Sequence, residues 1–290
     1  MIKIENNELL VEIKSAGAEM TRIYSKKTQL EYLWKGDPTF WGRHAPVLFP
    51  IVGQVKNKTY KVNGDDFHLP QHGFARDNEF KLLTQEVDEV TFELTDSDEI
   101  AKVYPFKFAL LVNYRLSANE LFINYKVINK DDKEIMFSIG GHPAFNCPLV
   151  EGTSFDDYYL EFPEKETPQQ IHLNTSTGLR NGVKDLVKIG NKVELNYDLF
   201  KNDALIYEEL KSSEVSLKSS KHKHGLTFQF ADWKYLAFWT KEKNAPFICI
   251  EPWCGITDED NSKGDFIDKL AIEKLAVEKR FSVEYSVRLF

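Results

Sequence analysis

The sequence predicts a mostly β protein, built as a large antiparallel β-sandwich with few short helices. Short runs rich in β-branched and aromatic residues recur along the chain, and polar turns separate them. Many runs alternate apolar and polar side chains, most clearly residues 121–129 and 281–290. Because alternate side chains of a strand point to opposite faces, this pattern indicates antiparallel sheets packed face to face.

Twelve runs are predicted to be strands, and the remaining segments give little sign of helix. The predicted strands are 90–94, 108–116, 121–129, 135–139, 158–162, 192–195, 204–210, 215–218, 226–230, 235–240, 247–251 and 281–290. Only residues 265–275 space their apolar side chains as a short helix could. The polar stretch 174–181 is predicted to be a long surface loop.

Composition restricts the class of protein. The 290 residues, 42% of them hydrophobic, suffice for a large core, and we expect residues 1–290 to form a single domain. An excess of acidic over basic residues gives a net charge of −8, which argues against nucleic acid or an anionic membrane as partner. Residues 1–12 contain no apolar run long enough for a signal peptide or membrane span. We therefore expect a cytoplasmic protein, either a monomer or a weak homodimer.

The cysteines and histidines give no convincing metal site. The three cysteines lack C-x-x-C spacing, so we expect reduced, mostly buried thiols. His222 and His224 would share a strand face, but they lie in a polar segment that is more typical of a solvated turn. The common nucleotide, metalloprotease and serine-hydrolase motifs are absent from the sequence. This pattern favours acid–base chemistry with neither metal nor cofactor.

A single carboxylate, Glu251, follows the apolar run at 245–250. At a strand end before Pro252, the side chain could simply point to solvent. Burying an ionised carboxylate without a partner costs several kcal/mol, so a buried Glu251 would be either paired or used as a base. The local sequence leaves both interpretations open.

Turn-rich segments at 41–53, 69–76 and 140–148 carry two further candidates, His72 and His142. His142 follows two glycines and precedes a proline, which predicts a constrained bend that fixes its ring beside a cavity. A structural histidine that caps a loop is the alternative. His68 and His72 have the spacing of a helical metal pair, but Pro70 makes that helix improbable.

Three motifs in order resemble the aldose 1-epimerase (galactose mutarotase) family, in the branch that includes hexose-6-phosphate mutarotases. They are Gln71-His-Gly-Phe-Ala-Arg, Gly141-His-Pro-Ala-Phe-Asn and Ile250-Glu-Pro-Trp, and the resemblance extends over nearly the whole chain. One departure concerns Arg43-His-Ala-Pro, where hexose-6-phosphate mutarotases tend to have Arg-Gly-Gly-x-Pro. The resemblance therefore leaves the sugar open between a free hexose and a hexose phosphate.

The resemblance implies that Glu251 is the general base and His142 the general acid of a sugar ring opening. It also implies that His72, Arg43 and Asp203 bind the substrate. Proximity of the carboxylate would favour the imidazolium form of His142.

Side chains next to these motifs are further candidates for sugar binding. Phe74 and Trp253, with Trp41 and Phe145, could offer flat apolar faces to a pyranose, although most aromatic residues must be core. Arg76 could bind a hydroxyl or a phosphate, or pair with Asp77 on the surface.

Three functional hypotheses follow. The first is an enzyme that interconverts the α and β anomers of a hexose or hexose phosphate. The second is a non-catalytic carbohydrate-binding or sugar-sensing protein with the same fold. The third is a metal-dependent β enzyme, which lacks a convincing set of ligands in the sequence.

Overall fold

A computed structural model describes residues 1–241 and 244–290, and it consists largely of β-strands. The strands are β1 Ile2–Glu5, β2 Leu9–Ile13, β3 Met20–Ser25, β4 Leu30–Glu31, β5 Val47–Leu48, β6 Thr59–Val62, β7 Asp65–His68, β8 Lys81–Gln85, β9 Glu89–Thr95, β10 Phe108–Ser117, β11 Glu120–Asn129, β12 Ile135–Phe137, β13 Ile139–Gly141, β14 Ala144–Asn146, β15 Tyr158–Glu166, β16 Gln169–Leu173, β17 Arg180–Leu186, β18 Gly190–Glu194, β19 Leu205–Glu208, β20 Glu214–Ser219, β21 Leu226–Gln229, β22 Tyr235–Trp239, β23 Phe247–Cys254, β24 Glu273–Leu275 and β25 Arg280–Leu289. One short α-helix, α1 Asp98–Ala101, and 3₁₀ turns at Lys56–Lys58, Ala75–Asp77, Phe155–Asp157, Tyr197–Phe200 and Phe266–Asp268 complete the described elements.

Two large antiparallel sheets form the body of the sandwich. The first has nine strands in the order β18-β15-β20-β21-β25-β11-β10-β9-β8. The second has eight, in the order β17-β16-β19-β22-β23-β13-β5, with β14 also paired to β23. Smaller sheets are formed by β1 to β4, by β6 with β7 and by β12 with β24. The predicted antiparallel β-sandwich is confirmed.

The hydrophobic core fills the space between the two large sheets. Aromatic contacts join them directly, with the rings of Phe145 and Phe228 6.2 Å apart and those of Phe162 and Phe238 6.3 Å apart. Strand β11 alternates buried and partly exposed residues along its whole length, as the sequence predicts. By contrast, every residue of β23 is buried, because β23 lies inside the eight-stranded sheet and both of its faces are covered.

The pairing of β23 places the residues between β13 and β14. Both short strands pair with β23, with Gly140 opposite Trp253 and Ala144 opposite Cys249. The register is the same on either side of the break between them. Continued through the break, this register puts His142 opposite Glu251.

Two sequence expectations about local structure are corrected. The segment 265–275 is not a helix: it forms the 3₁₀ turn Phe266–Asp268 and strand β24, with the Phe266 ring packed 4.4 Å from that of Tyr60. The glycines before His142 do not form a bend either, because they belong to β13. A Cβ at Gly140 would lie 2.8 Å from Cδ1 of Trp253, so the glycine is needed for close packing rather than for a turn.

We predict that Gly140→Ala lowers the free energy of unfolding by about 1–3 kcal/mol, because the added methyl must displace the indole of Trp253. Urea unfolding followed by tryptophan fluorescence would measure the change. Gly42→Ala is the matched control, since a Cβ there meets only ordinary contacts at 3.7 Å from Pro38 and should change stability by less than about 0.5 kcal/mol. Equal stability of the two variants would contradict the packing argument.

Candidate active site

A cavity of about 530 Å³ opens on the face of the eight-stranded sheet that is turned away from the main core. This volume is in the range of small-molecule sites. Seven residues proposed from the sequence line it: Trp41, His72, Arg76, His142, Asp203, Glu251 and Trp253. Side chains from segments far apart in the chain are therefore brought to one place.

Glu251 and His142 lie side by side at this cavity. Nε2 of His142 is 3.2 Å from Oε2 of Glu251, and only 1% of Glu251 is exposed. The solvent-facing interpretation of Glu251 is therefore wrong: the residue lies within β23 rather than at its end. The carboxylate is buried and has a titratable partner across the strand break.

Aromatic rings hold the imidazole of His142 in place. The indole of Trp41 stacks on it with centroids 4.8 Å apart, and the indole of Trp239 meets it edge-on at 5.7 Å. The ring of His72 approaches at 5.7 Å and nearly perpendicular. Since β22 pairs with β23, Trp239 lies opposite Cys249, which is two residues before Glu251 and on the same face of the sheet. The pairing of β22 with β23 thus orients Trp239 toward the contact between His142 and Glu251.

Burial determines the protonation of the pair. Removal from water raises the pKa of Glu251 well above its usual value, and the negative charge of Asp203 raises it further. Burial lowers the pKa of His142 to about 3, and the cations of Arg76 and Arg43 act in the same direction. Both shifts disfavour charge, so the free protein keeps one proton on the carboxyl and leaves the imidazole neutral. This burial opposes the imidazolium that the sequence reasoning expected.

His72 is a hydrogen-bond donor to the cavity. Its Nδ1 accepts the backbone N–H of Gly53 at 3.1 Å, and burial lowers the pKa of His72 well below its usual value. A neutral ring whose Nδ1 accepts carries its proton on Nε2. The ring can therefore offer an N–H to a hydroxyl oxygen.

The two arginines share one acidic partner, Asp77. Arg43 donates from Nη2 to Asp77 Oδ1 at 2.8 Å, while Nε of Arg76 lies 3.8 Å from Asp77 Oδ2. Arg76 lines the cavity, and its Nη2 donates to the carbonyl of Gln71 at 2.7 Å. Burial, reinforced by the charge of Arg43, lowers the pKa of Arg76 to about 10. Arg76 therefore both lines the cavity and lies near Asp77, whereas Arg43 pairs with Asp77 and does not line the cavity.

The structure corrects the expectation for Phe74. Its ring does not line the cavity but packs in the core, 5.9 Å from Tyr104 and 6.1 Å from Phe49. Phe145 is core as well, with no exposed surface. Adjacency in sequence misled for Phe74 because it lies in a turn that leads into the 3₁₀ segment Ala75–Asp77, and the packing of that turn decides where its ring points.

Several residues at the cavity were missed by the sequence reasoning, and they come from loops and from the face of a neighbouring strand. They include Gln71, Thr175, Gly178, Lys201, Trp239, Lys241 and Thr257. Trp239 carries no alternation signal, because the other four residues of β22 are all buried. The loop residues carry none either, because their positions depend on how the loops pack.

Comparison with known proteins places this geometry in a family. The family model described as Aldose 1-epimerase matches residues 1–264. The chain belongs to the aldose 1-epimerase family. Among curated relatives of this aldose 1-epimerase family member, the chromosomal Protein LacX of Lactococcus lactis subsp. lactis is 36% identical over 282 residues, which cover 94% of each chain.

Solved structures agree with this family assignment. A galactose mutarotase related enzyme from Lactobacillus acidophilus is 38% identical and superposes with a TM-score of 0.96, covering 100% of this chain and 97% of that one. A galactose mutarotase-like protein from Lactobacillus casei ATCC 334 is 34% identical, with a TM-score of 0.94 and full coverage of both chains. Within the described parts of this family member, no helix has the length and apolar character needed to cross a membrane.

We predict that Glu251→Gln is more stable than the parent at pH 8, and that the difference grows as the pH rises above about 4.5. Below a pH of about 4.5 the folded and unfolded parent both hold the proton of Glu251. Above it, only the unfolded chain releases that proton, because the folded pKa is raised, so parental stability falls as pH rises. Glutamine does not titrate, and the advantage of the variant should shrink toward pH 4.5.

Urea unfolding at a series of pH values measures this difference. Glu86→Gln, at an exposed position, is the control and should stay within about 0.5 kcal/mol of the parent throughout. A Glu251→Gln variant that is less stable than the parent at pH 8 would show that the buried carboxylate stabilises the fold.

Proposed function

We propose that this protein is an aldose 1-epimerase that interconverts the α and β anomers of a hexose or hexose phosphate. The observation that carries the proposal is the contact between His142 and Glu251, 3.2 Å apart and both buried at a cavity of sugar-sized volume. An acid and a base held together in this way suit a reaction made of two proton transfers. A protein that only binds sugar would have no use for such a pair.

The reaction opens and recloses the sugar ring. Glu251 takes the proton of the C1 hydroxyl while His142 gives a proton to the ring oxygen, and the ring C–O bond breaks. Rotation about C1–C2 presents the other face of the aldehyde. Closure then reverses both transfers, so that the pair is restored and the anomer changed.

The pair carries one proton at every stage. Before ring opening the proton is on His142, and after ring opening a proton is on Glu251. The free protein favours the second distribution, because burial opposes both charges. Burial therefore stabilises the proton distribution of the open-chain stage, and the first step requires the proton of Glu251 to move to the imidazole of His142. Neither net charge nor proton exchange with solvent is needed during turnover.

The remaining cavity residues suit the hydroxyl groups and the ring of a sugar. His72 offers an N–H, Asp203 a carboxylate, and the indoles of Trp41 and Trp253 offer flat apolar surface. Nε1 of Trp253 makes no hydrogen bond to any residue that the structure describes, which leaves one buried donor available to a substrate.

Cations around the cavity support an anionic sugar as substrate. Three cations line it: Arg76, Lys201 and Lys241. The two acids that line it are Asp203 and Glu251, and burial raises the pKa of Glu251 and so favours its neutral form. Nε of Arg76 has no hydrogen-bond partner among the described residues. A phosphate on the sugar would meet these donors and be attracted by them.

We predict that Glu251→Gln and His142→Gln each lower the rate of anomer exchange by about 10²–10⁴-fold, because glutamine neither accepts nor releases a proton. NMR exchange spectroscopy on glucose, galactose and their 6-phosphates measures the rate. The exposed Glu86→Gln variant should retain parental activity. Full activity of Glu251→Gln would end this assignment, and a folded parent that accelerates exchange of none of these sugars would favour the sugar-binding alternative.

A second prediction tests the charge of the sugar. We expect Lys201→Met to lower the ratio of kcat/KM for the 6-phosphate to kcat/KM for the free hexose by about tenfold, since it removes one charge-assisted contact. Lys130→Met, an exposed lysine that does not line the cavity, should leave the ratio unchanged. A ratio that is the same in all three proteins would favour the free hexose as substrate.

A further inference from the structure

A third ligand-bearing side chain, Cys249, lies beside the acid–base pair. One ligand atom from each of His142, Cys249 and Glu251 can be chosen so that all three lie within 4.8 Å of one another, and all three side chains are buried. Proton transfer in the sugar needs only the histidine and the glutamate. The thiol is therefore a feature of the site that the proposed reaction leaves unused.

Strand geometry explains why the three groups converge. Cys249 and Glu251 are two residues apart in β23, so their side chains leave the same face of the sheet. His142 lies opposite Glu251 in the register shared by β13 and β14. A sulfur, a nitrogen and an oxygen thus surround one point from two neighbouring segments.

Two atoms of this cluster lack hydrogen-bond partners. Oε2 of Glu251 and Nδ1 of His142 are buried and make no hydrogen bond to any described residue, and the 3.2 Å approach of Nε2 to Oε2 does not have hydrogen-bond geometry. Buried polar atoms are normally satisfied. Oε2 of Glu251 therefore retains unused lone pairs that a cation can accept, and ligation through Nε2 of His142 places the ring proton on Nδ1.

The spacing suits a tetrahedral ion. Zinc binds sulfur at about 2.3 Å and nitrogen or oxygen at about 2.0–2.2 Å, so its ligand atoms lie about 3.5 Å apart. The imidazole–carboxylate distance is already 3.2 Å, and contraction of the remaining distances needs shifts of about 1 Å or less. Glu251 and His142 line the cavity, which gives the ion an entry path and leaves its fourth position toward the cavity.

We propose that His142, Cys249 and Glu251 form a binding site for a thiophilic divalent cation of the zinc class, and that the ion inhibits the enzyme. Binding replaces the thiol proton of Cys249 and the carboxyl proton of Glu251, and both protons go to solvent. The inhibitory part rests on the proposed function, because the ion occupies the lone pairs that the proton transfers use. The binding part does not depend on it.

Cadmium is the direct probe, since a Cd–thiolate bond has an ultraviolet charge-transfer band. We expect titration of the whole protein with Cd²⁺ to develop this band with one equivalent, and Zn²⁺ to displace it. Cys249→Ala should lose the band, and Cys249→Ser serves if the alanine variant does not fold. Cys254→Ala is the matched control: Cys254 is also buried in β23 but is an odd number of residues away from Glu251, and it should keep the band.

Activity is measured separately, with each variant compared with its own rate in the absence of metal. We expect Zn²⁺ to inhibit the parent and the Cys254→Ala variant, and the inhibition constant to rise at least about tenfold in Cys249→Ala. Absence of the band at one equivalent, or its persistence in Cys249→Ala, would overturn the metal site. A band without inhibition would overturn the inhibitory role, and a band in a protein with no mutarotase activity would leave the metal site standing while refuting the proposed function.

Discussion

The candidate site depends on the antiparallel pairing of one fully buried strand with two short strands on the same side. Strand β23 pairs with β13 and with β14 in a single register, and the break between them falls at His142. Backbone hydrogen bonds therefore fix the distance between His142 and Glu251. A shift of that register by one residue would turn His142 to the opposite face from Glu251.

Burial gives this arrangement its chemistry. In water near neutral pH a carboxyl group would be ionised and an imidazole would be only partly protonated. At the cavity the pKa of Glu251 is raised and that of His142 is lowered, so the carboxyl keeps its proton and both groups are neutral. The same loss of solvent leaves lone pairs without partners, which relates the proposed proton transfer to the proposed metal site. Indole rings of Trp41 and Trp239 maintain the burial on the solvent side.

Much of the fold was predictable from the pattern of side chains, because a strand with one buried face alternates apolar and polar residues in sequence. All twelve predicted runs contain strand, and 108–116 differs by one residue from the observed β10. Other strands were not predicted. Strand β2 was missed although it alternates between buried and partly exposed residues, whereas β8 is exposed along its length. The run at 135–139 is interrupted at Ser138 between β12 and β13, which belong to different sheets.

The sequence by itself determined the fold class and the ordered motifs around His72, His142 and Glu251, since these depend on local periodicity and residue type. It did not determine whether Glu251 was solvated, that Phe74 turns into the core, or that Cys249 stands beside the pair. Those facts depend on strand register and on which face of a sheet is covered. Both arise from contacts between segments far apart in the chain, so only the tertiary structure decides them.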